Sequence, residues 1–423
     1  MSNSFARRLR REVFNYAREA NLSGWRALLK YIFSRVESDN DKKLRLISEV
    51  LSHFPKTGFT KSTVDQALAL AGDTSIEEGL SVEPVSLSYS FVIKPHVSRD
   101  EKGFFLISFE NQLKKIIDFG LLPVIQERYY IVFVPSWTGL FSPALLKLAT
   151  CSDRKNPIFI LPVHENEREA VKLLGDNCVP LPFNAASWVN PCFFEPKVSE
   201  RDIDCLIVAN FSGFKRHWLL FNALKGLPKS VSAVCVGVPL GSRTANSIRQ
   251  EAEDYGVAER VTIIEDPSQE DLRLYFQRAK VFCAMSFREG SFIAVAEALM
   301  SGTPVIMFKN AHVGTKNLVT PDVGALVGSV SELRKRIMEF LDFEDHDKVR
   351  QIARESISAQ ANCRKLNEML AGWSVESGLN WTKDVEPFYS MRLSFYYYDG
   401  SAKDRLKLDY EYLAANGVRI SLP

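Results

Sequence analysis

The stretch from Val281 to Phe308 limits most strongly what this chain can fold into. Val281-Phe282-Cys283-Ala284-Met285 is an apolar run of strand length. Glu289-Gly290 interrupts it, and Ser291 is placed to cap a helix that runs through Met300. Gly302 suits the position just past a helix end, and Thr303-Pro304 stops the helix before a second buried strand, Val305 to Phe308. A strand, a helix and a strand so closely spaced are one βαβ unit of a parallel sheet. In open α/β sheets ligands bind outside the carboxyl ends of the strands, and a helix N-terminus beside a glycine suits a phosphate. Two carboxylates belong to this unit, Glu289 before the helix and Glu297 on it. Glu297 stands in an otherwise apolar run, where a carboxylate needs partners if it is buried. The plainer alternative is a half-exposed helix glutamate.

The same alternation runs through most of the chain, twice over. From about residue 86, short apolar runs alternate with helical segments. Candidate strands are Val85 to Ile93, Phe104 to Ile107, Tyr129 to Val134 and Ile158 to Leu161. After Val179-Pro180-Leu181-Pro182 a turn-rich stretch to Pro196 follows as a natural linker. The alternation then restarts with strands over Cys205 to Ala209, Ala233 to Val236, Val261 to Ile264, Lys280 to Met285 and Gly324 to Val327. Helices are expected over Val330 to Leu341 and Asp347 to Leu370. A chain of 423 residues exceeds what one core usually supports, so two domains are expected, with a ligand site in the cleft between them. A net charge of +2 gives no general reason to expect nucleic acid. The seven cysteines are scattered, without zinc-like spacing; Cys205, Cys235 and Cys283 lie in apolar runs, as reduced thiols of a cytoplasmic protein would. No run approaches the length that spans a bilayer, and the N-terminus lacks the apolar core of a secretory signal.

Residues 1 to about 80 differ in character. Phe5, Leu9, Val13, Tyr16 and Ala17 recur at helical spacing, as do Trp25, Leu28, Leu29, Ile32, Phe33 and Val36. The first 36 residues hold eight basic and two acidic side chains. Such basic amphipathic helices suit an anionic membrane surface, or else a solvated face of a helix packed on the next domain.

Beyond periodicity, the segment from Cys205 to Val327 resembles the donor-binding half of retaining GT-B glycosyltransferases of the group 1 family. The resemblance rests on Glu289, Glu297, Ala298, Gly302, Thr303, Pro304 and Val305, which match a Glu-x7-Glu motif followed by Ala-x-x-x-Gly-Thr-Pro-Val. Val236-Gly237, Glu259-Arg260-Val261 and Glu270-Asp271-Leu272 resemble the run into it. The resemblance implies an α/β protein of GT-B fold, two Rossmann-like domains with a cleft between them, plus an N-terminal helical extension. The implied domains are the extension over 1–80, an acceptor domain over 81–197 with part of the 381–423 tail packing back, and a donor domain over 198–380. It implies that Glu289 lies at the reacting sugar, where a carboxylate opposes developing positive charge. Glu297 would hydrogen-bond ribose hydroxyls, and the amides of Gly290, Ser291 and Phe292 would meet a diphosphate. Lys215 matches the lysine of the family's basic pair. The arginine of that pair falls near Asn210-Phe211, and Arg216 and His217 are the basic side chains at hand to replace it. For Lys215 and Arg216 the bland alternative is an ordinary basic turn. His164, after Ile158 to Leu161, resembles a family histidine that contacts the transferred sugar, though a histidine at a strand end is as often structural. Pro135-Ser136-Trp137 stands where another family histidine is usual.

The expected function is transfer of a sugar, with retention, from a nucleotide-diphosphate sugar to a saccharide or lipid-linked acceptor in cell-surface polysaccharide biosynthesis. No cofactor and no metal are expected, nor is nucleic acid a partner. The enzyme would be cytoplasmic and peripheral to the inner face of the cell membrane through its basic N-terminal helices. The missing arginine also fits an inactive nucleotide-sugar-binding or scaffold protein of the same fold. An epimerase or phosphorylase on that fold is a third alternative.

Overall fold

The structure is a computed structural model. It describes residues 3–20, 24–53, 60–73, 84–136, 139–164, 167–197, 200–391 and 394–420. Trp137 and the side chains of Tyr16, Ala17, Trp25 and Arg26 lie outside the described residues. Four helices come first: α1 (Asn3–Ala20), α2 (Gly24–Val36), α3 (Asn40–His53) and α4 (Thr60–Asp73). A first αβ run follows: β1 (Val85–Leu87), β2 (Ser90–Lys94), β3 (Gly103–Ser108), α5 (Glu110–Asp118), α6 (Leu122–Arg128), β4 (Tyr129–Val134), α7 (Pro143–Cys151), β5 (Ile158–Ile160), α8 (Glu167–Lys172) and β6 (Cys178–Pro180). The second run is β7 (Ile203–Val208), α9 (His217–Lys225), β8 (Ala233–Gly237), α10 (Ala245–Tyr255), β9 (Val261–Glu265), α11 (Gln269–Arg278), β10 (Ala279–Ala284), α12 (Ile293–Met300), β11 (Val305–Phe308) and β12 (Gly324–Val327). Helices α13 (Val330–Leu341), α14 (His346–Ile357) and α15 (Ala359–Glu376) lead to the tail: β13 (Phe388–Met391), β14 (Ser394–Tyr397), α16 (Ala402–Arg405), α17 (Lys407–Ala415) and β15 (Val418–Ile420).

Contacts divide the chain into two units. Unit 1 is Met1–Asn21 with Val189–Ser358, and unit 2 is Leu22–Trp188 with Ala359–Pro423. The chain therefore passes from one unit to the other three times.

Unit 1 holds a parallel sheet in the order β12-β11-β10-β7-β8-β9. The chain runs from β7 outward to β8 and β9, then returns to the other side of β7 as β10. The connections leaving β7 and β10 thus diverge at the carboxyl ends of neighbouring strands, the arrangement that opens a crevice for a ligand. Strand interiors are apolar on both faces because helices cover both. Cys205, Cys235 and Cys283 sit in this core as free, buried thiols. A hydrogen bond to Cys205, with burial, pushes the Cys283 thiol well up from its ordinary range.

Gly302 shows why the Gly-Thr-Pro signature stands at the end of α12. Its φ of +75° is left-handed, and a Cβ there would lie 2.7 Å from the carbonyl of His346, whose ring Nδ1 in turn lies 2.9 Å from the Gly302 carbonyl. Gly302→Ala should destabilise the protein by about 2 kcal/mol, from left-handed strain and that clash. Urea unfolding tests this, and a loss below about 0.5 kcal/mol would refute it.

Unit 2 carries a five-stranded sheet, β2-β3-β4-β5-β6, parallel except for the β2–β3 pair. The apolar run Val85 to Ile93 is two strands, not one. Tyr89 takes a φ of 56° in a turn between them, so β1 leaves the sheet and pairs with β15. The helix expected over Asp347 to Leu370 is also two, because Ser358 is extended (φ −63°, ψ 125°). The aromatic tail forms a β13–β14 hairpin, and Phe388 and Phe395 meet Phe91 of β2 with ring centroids 5.2 and 5.3 Å away.

A buried ion pair holds part of that tail. Lys94 is fully buried; its ammonium lies 3.1 Å from Glu101 and 4.7 Å from the centre of the Trp381 ring. Glu101 accepts the Thr382 amide at 2.6 Å, the Thr382 hydroxyl at 2.8 Å and the Lys383 amide at 3.0 Å.

Candidate functional site

The candidate site of unit 1 is built where the β7–α9 and β10–α12 connections begin. Lys215 lies in the first, within a short 3-10 turn, and Glu289 in the second. They are 74 residues apart in sequence and form an ion pair through Lys215 Nζ and Glu289 Oε1. The Ser286 hydroxyl donates to the same carboxylate oxygen at 2.8 Å. Both side chains are largely withdrawn from water, at 8% and 14% exposure, so the pair is screened far less than a surface one. The Lys215 ammonium also lies 5.1 Å from the ring centres of Phe214 and Phe292.

The backbone of the Glu289 loop is fixed from two sides. From β11 onward, His312 donates its amide to Phe287 at 2.8 Å and accepts the Glu289 amide at 3.0 Å. Gly314 donates to the Gly290 carbonyl at 2.9 Å. From the β7 side, the Phe287 amide donates to the Phe214 carbonyl at 3.1 Å. The helix α12 starts one residue later than Ser291 would place it. Phe292 is its N-cap, in a left-handed conformation (φ 46°, ψ 65°), and makes no side-chain cap bond. Gly290, Ser291 and Phe292 thus form the turn into the helix, with Ser291 buried. Glu297 is 6% exposed, which removes the half-exposed alternative.

Arg216 is placed differently from an anion ligand in open solvent. It is 3% exposed, with a left-handed φ of 54°. Its Nε donates to the Met285 carbonyl at 2.6 Å and one terminal nitrogen to the Ser286 carbonyl at 3.3 Å. The guanidinium lies 5.2 Å from the ring centres of Phe287 and Phe308. In this position it fixes the strand end that carries Ser286 and Glu289. His217 is 1% exposed, and neither ring nitrogen finds a partner. Burial, with Arg243 and Lys215 nearby, pushes its imidazole down to about 3, so it is neutral at physiological pH.

Two contributors escaped the sequence reading. Ser286 carried a usable signal, a hydroxyl at a strand end three residues before Glu289. Arg243 did not. It arrives from the β8–α10 connection, where its Nε donates to the Phe211 carbonyl and its Nη2 lies 2.7 Å from Glu251. It therefore brings an arginine to the Asn210-Phe211 loop, where the basic pair lacks one. His164 belongs to unit 2, at the carboxyl end of β5 and half-buried; its amide donates to Glu167 at 3.3 Å. Among the described residues no three His, Cys, Asp or Glu side chains are grouped to hold a metal ion.

Residues 192–357 match the family described as glycosyl transferases group 1. No curated protein sequence matches the chain. Among solved structures it is similar to HepE of Anabaena in complex with UDP, at 14% identity over 75% of this chain and 84% of that one, with a TM-score of 0.50. It is also similar to sucrose-phosphate synthase from Thermosynechococcus elongatus, at 17% identity over 64% and 73% of the two chains, with a TM-score of 0.48. The fold is GT-B.

Proposed function

We infer that this GT-B protein, whose residues 192–357 match the group 1 glycosyl transferases, transfers a sugar from a nucleotide-diphosphate sugar to a saccharide or lipid-linked acceptor. The observation that carries the reading is the Lys215–Glu289–Ser286 constellation beside the start of α12. UDP in the HepE complex is in keeping with a nucleotide donor. In this reading Lys215 exchanges its carboxylate partner for the donor's diphosphate, which also meets the amides of Gly290, Ser291 and Phe292. Glu289, released from the ammonium, faces the sugar and opposes positive charge at the anomeric carbon. Glu297 holds the ribose. The acceptor's proton passes to a phosphate oxygen on the same face, so the anomeric configuration is retained and no metal is needed. The protein works in the cytoplasm, at the inner face of the membrane, in building a cell-surface polysaccharide.

A thermal-shift panel of nucleotide sugars selects the donor, because a ligand bound to the folded state alone raises Tm. NMR of the product then reads its anomeric configuration, with and without a chelator. An inverted product or full dependence on metal would overturn the mechanism. Binding without turnover would leave the inactive, scaffold reading, which the missing arginine near Asn210-Phe211 and Pro135-Ser136-Trp137 in place of a histidine favour.

Lys215→Ala separates binding from chemistry. Loss of one charge-assisted phosphate contact should raise the donor's KM by about 10-fold or more. Calorimetric titration with the donor checks it, and an unchanged Kd would remove Lys215 from the diphosphate site.

A further inference from the structure

Helix α1 lies on unit 1 the wrong way round for a protein surrounded only by water. Its charged side faces the protein. Arg7 and Arg11 bond the buried carboxylate of Asp254 on α10, at 2.8 and 3.0 Å. Glu12 accepts the Tyr255 hydroxyl at 2.8 Å, and Arg8 lies over the Tyr255 ring. The opposite side is apolar: Phe5, Leu9 and Val13 are 38%, 49% and 57% exposed. The next helix, α2, belongs to unit 2 and repeats the pattern. Leu28, Leu29, Ile32, Phe33 and Val36 make one stripe at helical spacing, and all are between 45% and 75% exposed. Ser34, on its other side, is fully buried. Two consecutive helices that spend their polar faces on the protein leave apolar faces which water alone does not favour.

We propose that each of these faces, taken by itself, docks on an anionic lipid surface. The choice of partner rests on charge. Exposed Arg10 stands next to Leu9 on α1, and exposed Arg35 beside the α2 stripe, whereas Lys30 within that stripe is already paired with Glu49. The first 36 residues carry eight basic against two acidic side chains. A second copy on these faces would bring like charges together, whereas anionic headgroups would offset them while the acyl region takes the leucines and phenylalanines. The inference deepens the membrane reading above and rests on it, but it is read out by lipid binding and not by transfer.

The test uses the full chain and vesicles of phosphatidylcholine with or without about one-third phosphatidylglycerol. Co-sedimentation should be at least about 10-fold stronger with the anionic lipid, and should weaken with salt. The triple variant Leu9→Glu, Ile32→Glu, Phe33→Glu should bind at least about 10-fold more weakly while its circular dichroism and melting stay unchanged, since all three side chains are exposed. Equal partitioning of the variant, or no partitioning of the unmutated protein, overturns the proposal. A dimer in analytical ultracentrifugation that the triple variant dissolves, without lipid binding, assigns the faces to a second copy instead. Transfer to a soluble saccharide acceptor is measured in parallel, so that a failure of the enzymatic reading is seen separately from a failure to bind lipid.

Discussion

Glu289→Gln should lower sugar transfer by about 10²–10³-fold while donor binding changes only a few-fold, a loss of about 3–4 kcal/mol confined to the transition state. Glutamine keeps the length of the side chain and can still accept the Ser286 hydroxyl, which lies 2.8 Å from the carboxylate. What it loses is the negative charge, whose value rises as the anomeric carbon becomes cationic. The loss should therefore fall on kcat, in contrast to Lys215→Ala, whose loss falls on KM. Because Lys215 and Glu289 bond each other, their effects should not add. The double variant should be less impaired than the product of the two single effects. Steady-state kinetics with the donor identified by thermal shift decides it. Transfer by Glu289→Gln within threefold of the unmutated rate would refute the assignment of Glu289.

The largest stability effect is expected in unit 2, at Lys94 and Glu101. Glu101→Ala should cost about 3–5 kcal/mol, because it leaves a fully buried ammonium without its carboxylate. Replacing both residues together, Lys94→Met with Glu101→Leu, should restore only the part of that loss due to the unpaired ammonium, because the Thr382 and Lys383 amides still lack their acceptor. The pair also sets a pH dependence. Burial by itself would raise the Glu101 carboxyl. The Thr382 amide and hydroxyl, the Lys383 amide and the Lys94 ammonium outweigh it and hold the group at about 2, below the ordinary 4.5. A carboxyl depressed on folding contributes stability above its unfolded value, and that contribution fades as pH falls through the folded one. Stability should thus drop between about pH 4.5 and about pH 2, and the double replacement should flatten that slope. Urea midpoints measured across this range test it, and an identical slope in both proteins would count against Glu101 as the titrating group.

The parallel sheets and the Glu289 loop were legible because short apolar runs and the 3.6-residue helical period are local, and because glycine and proline mark the ends of α12 so sharply. The break at Ser358 was not. The apolar spacing continues through it, and only an extended backbone at one residue separates α14 from α15. β15 was equally hidden, because three residues gain strand character only by pairing with β1, more than 300 positions earlier. At the site, the apolar run around Glu297 pointed to burial but left a half-exposed glutamate open, and the structure buries it. The commitment of Arg216 to the Met285 and Ser286 carbonyls did not show, because it depends on which way a left-handed residue turns its side chain. Arg243 was missed for a related reason: its partner Phe211 belongs to another connection.

The bonds from Arg7 and Arg11 to Asp254 span 247 and 243 residues of sequence. On the ribosome α10 follows α1 only after roughly 10–50 s at ordinary elongation rates. For that interval the arginines have no Asp254, and both faces of the helix are open to whatever lies near the emerging chain. Unit 1 is complete only when its oldest and one of its later segments meet. A protein truncated from its amino end would therefore lose a piece of the unit that its far sequence encodes, and a reporter placed on α1 would signal the arrival of α10.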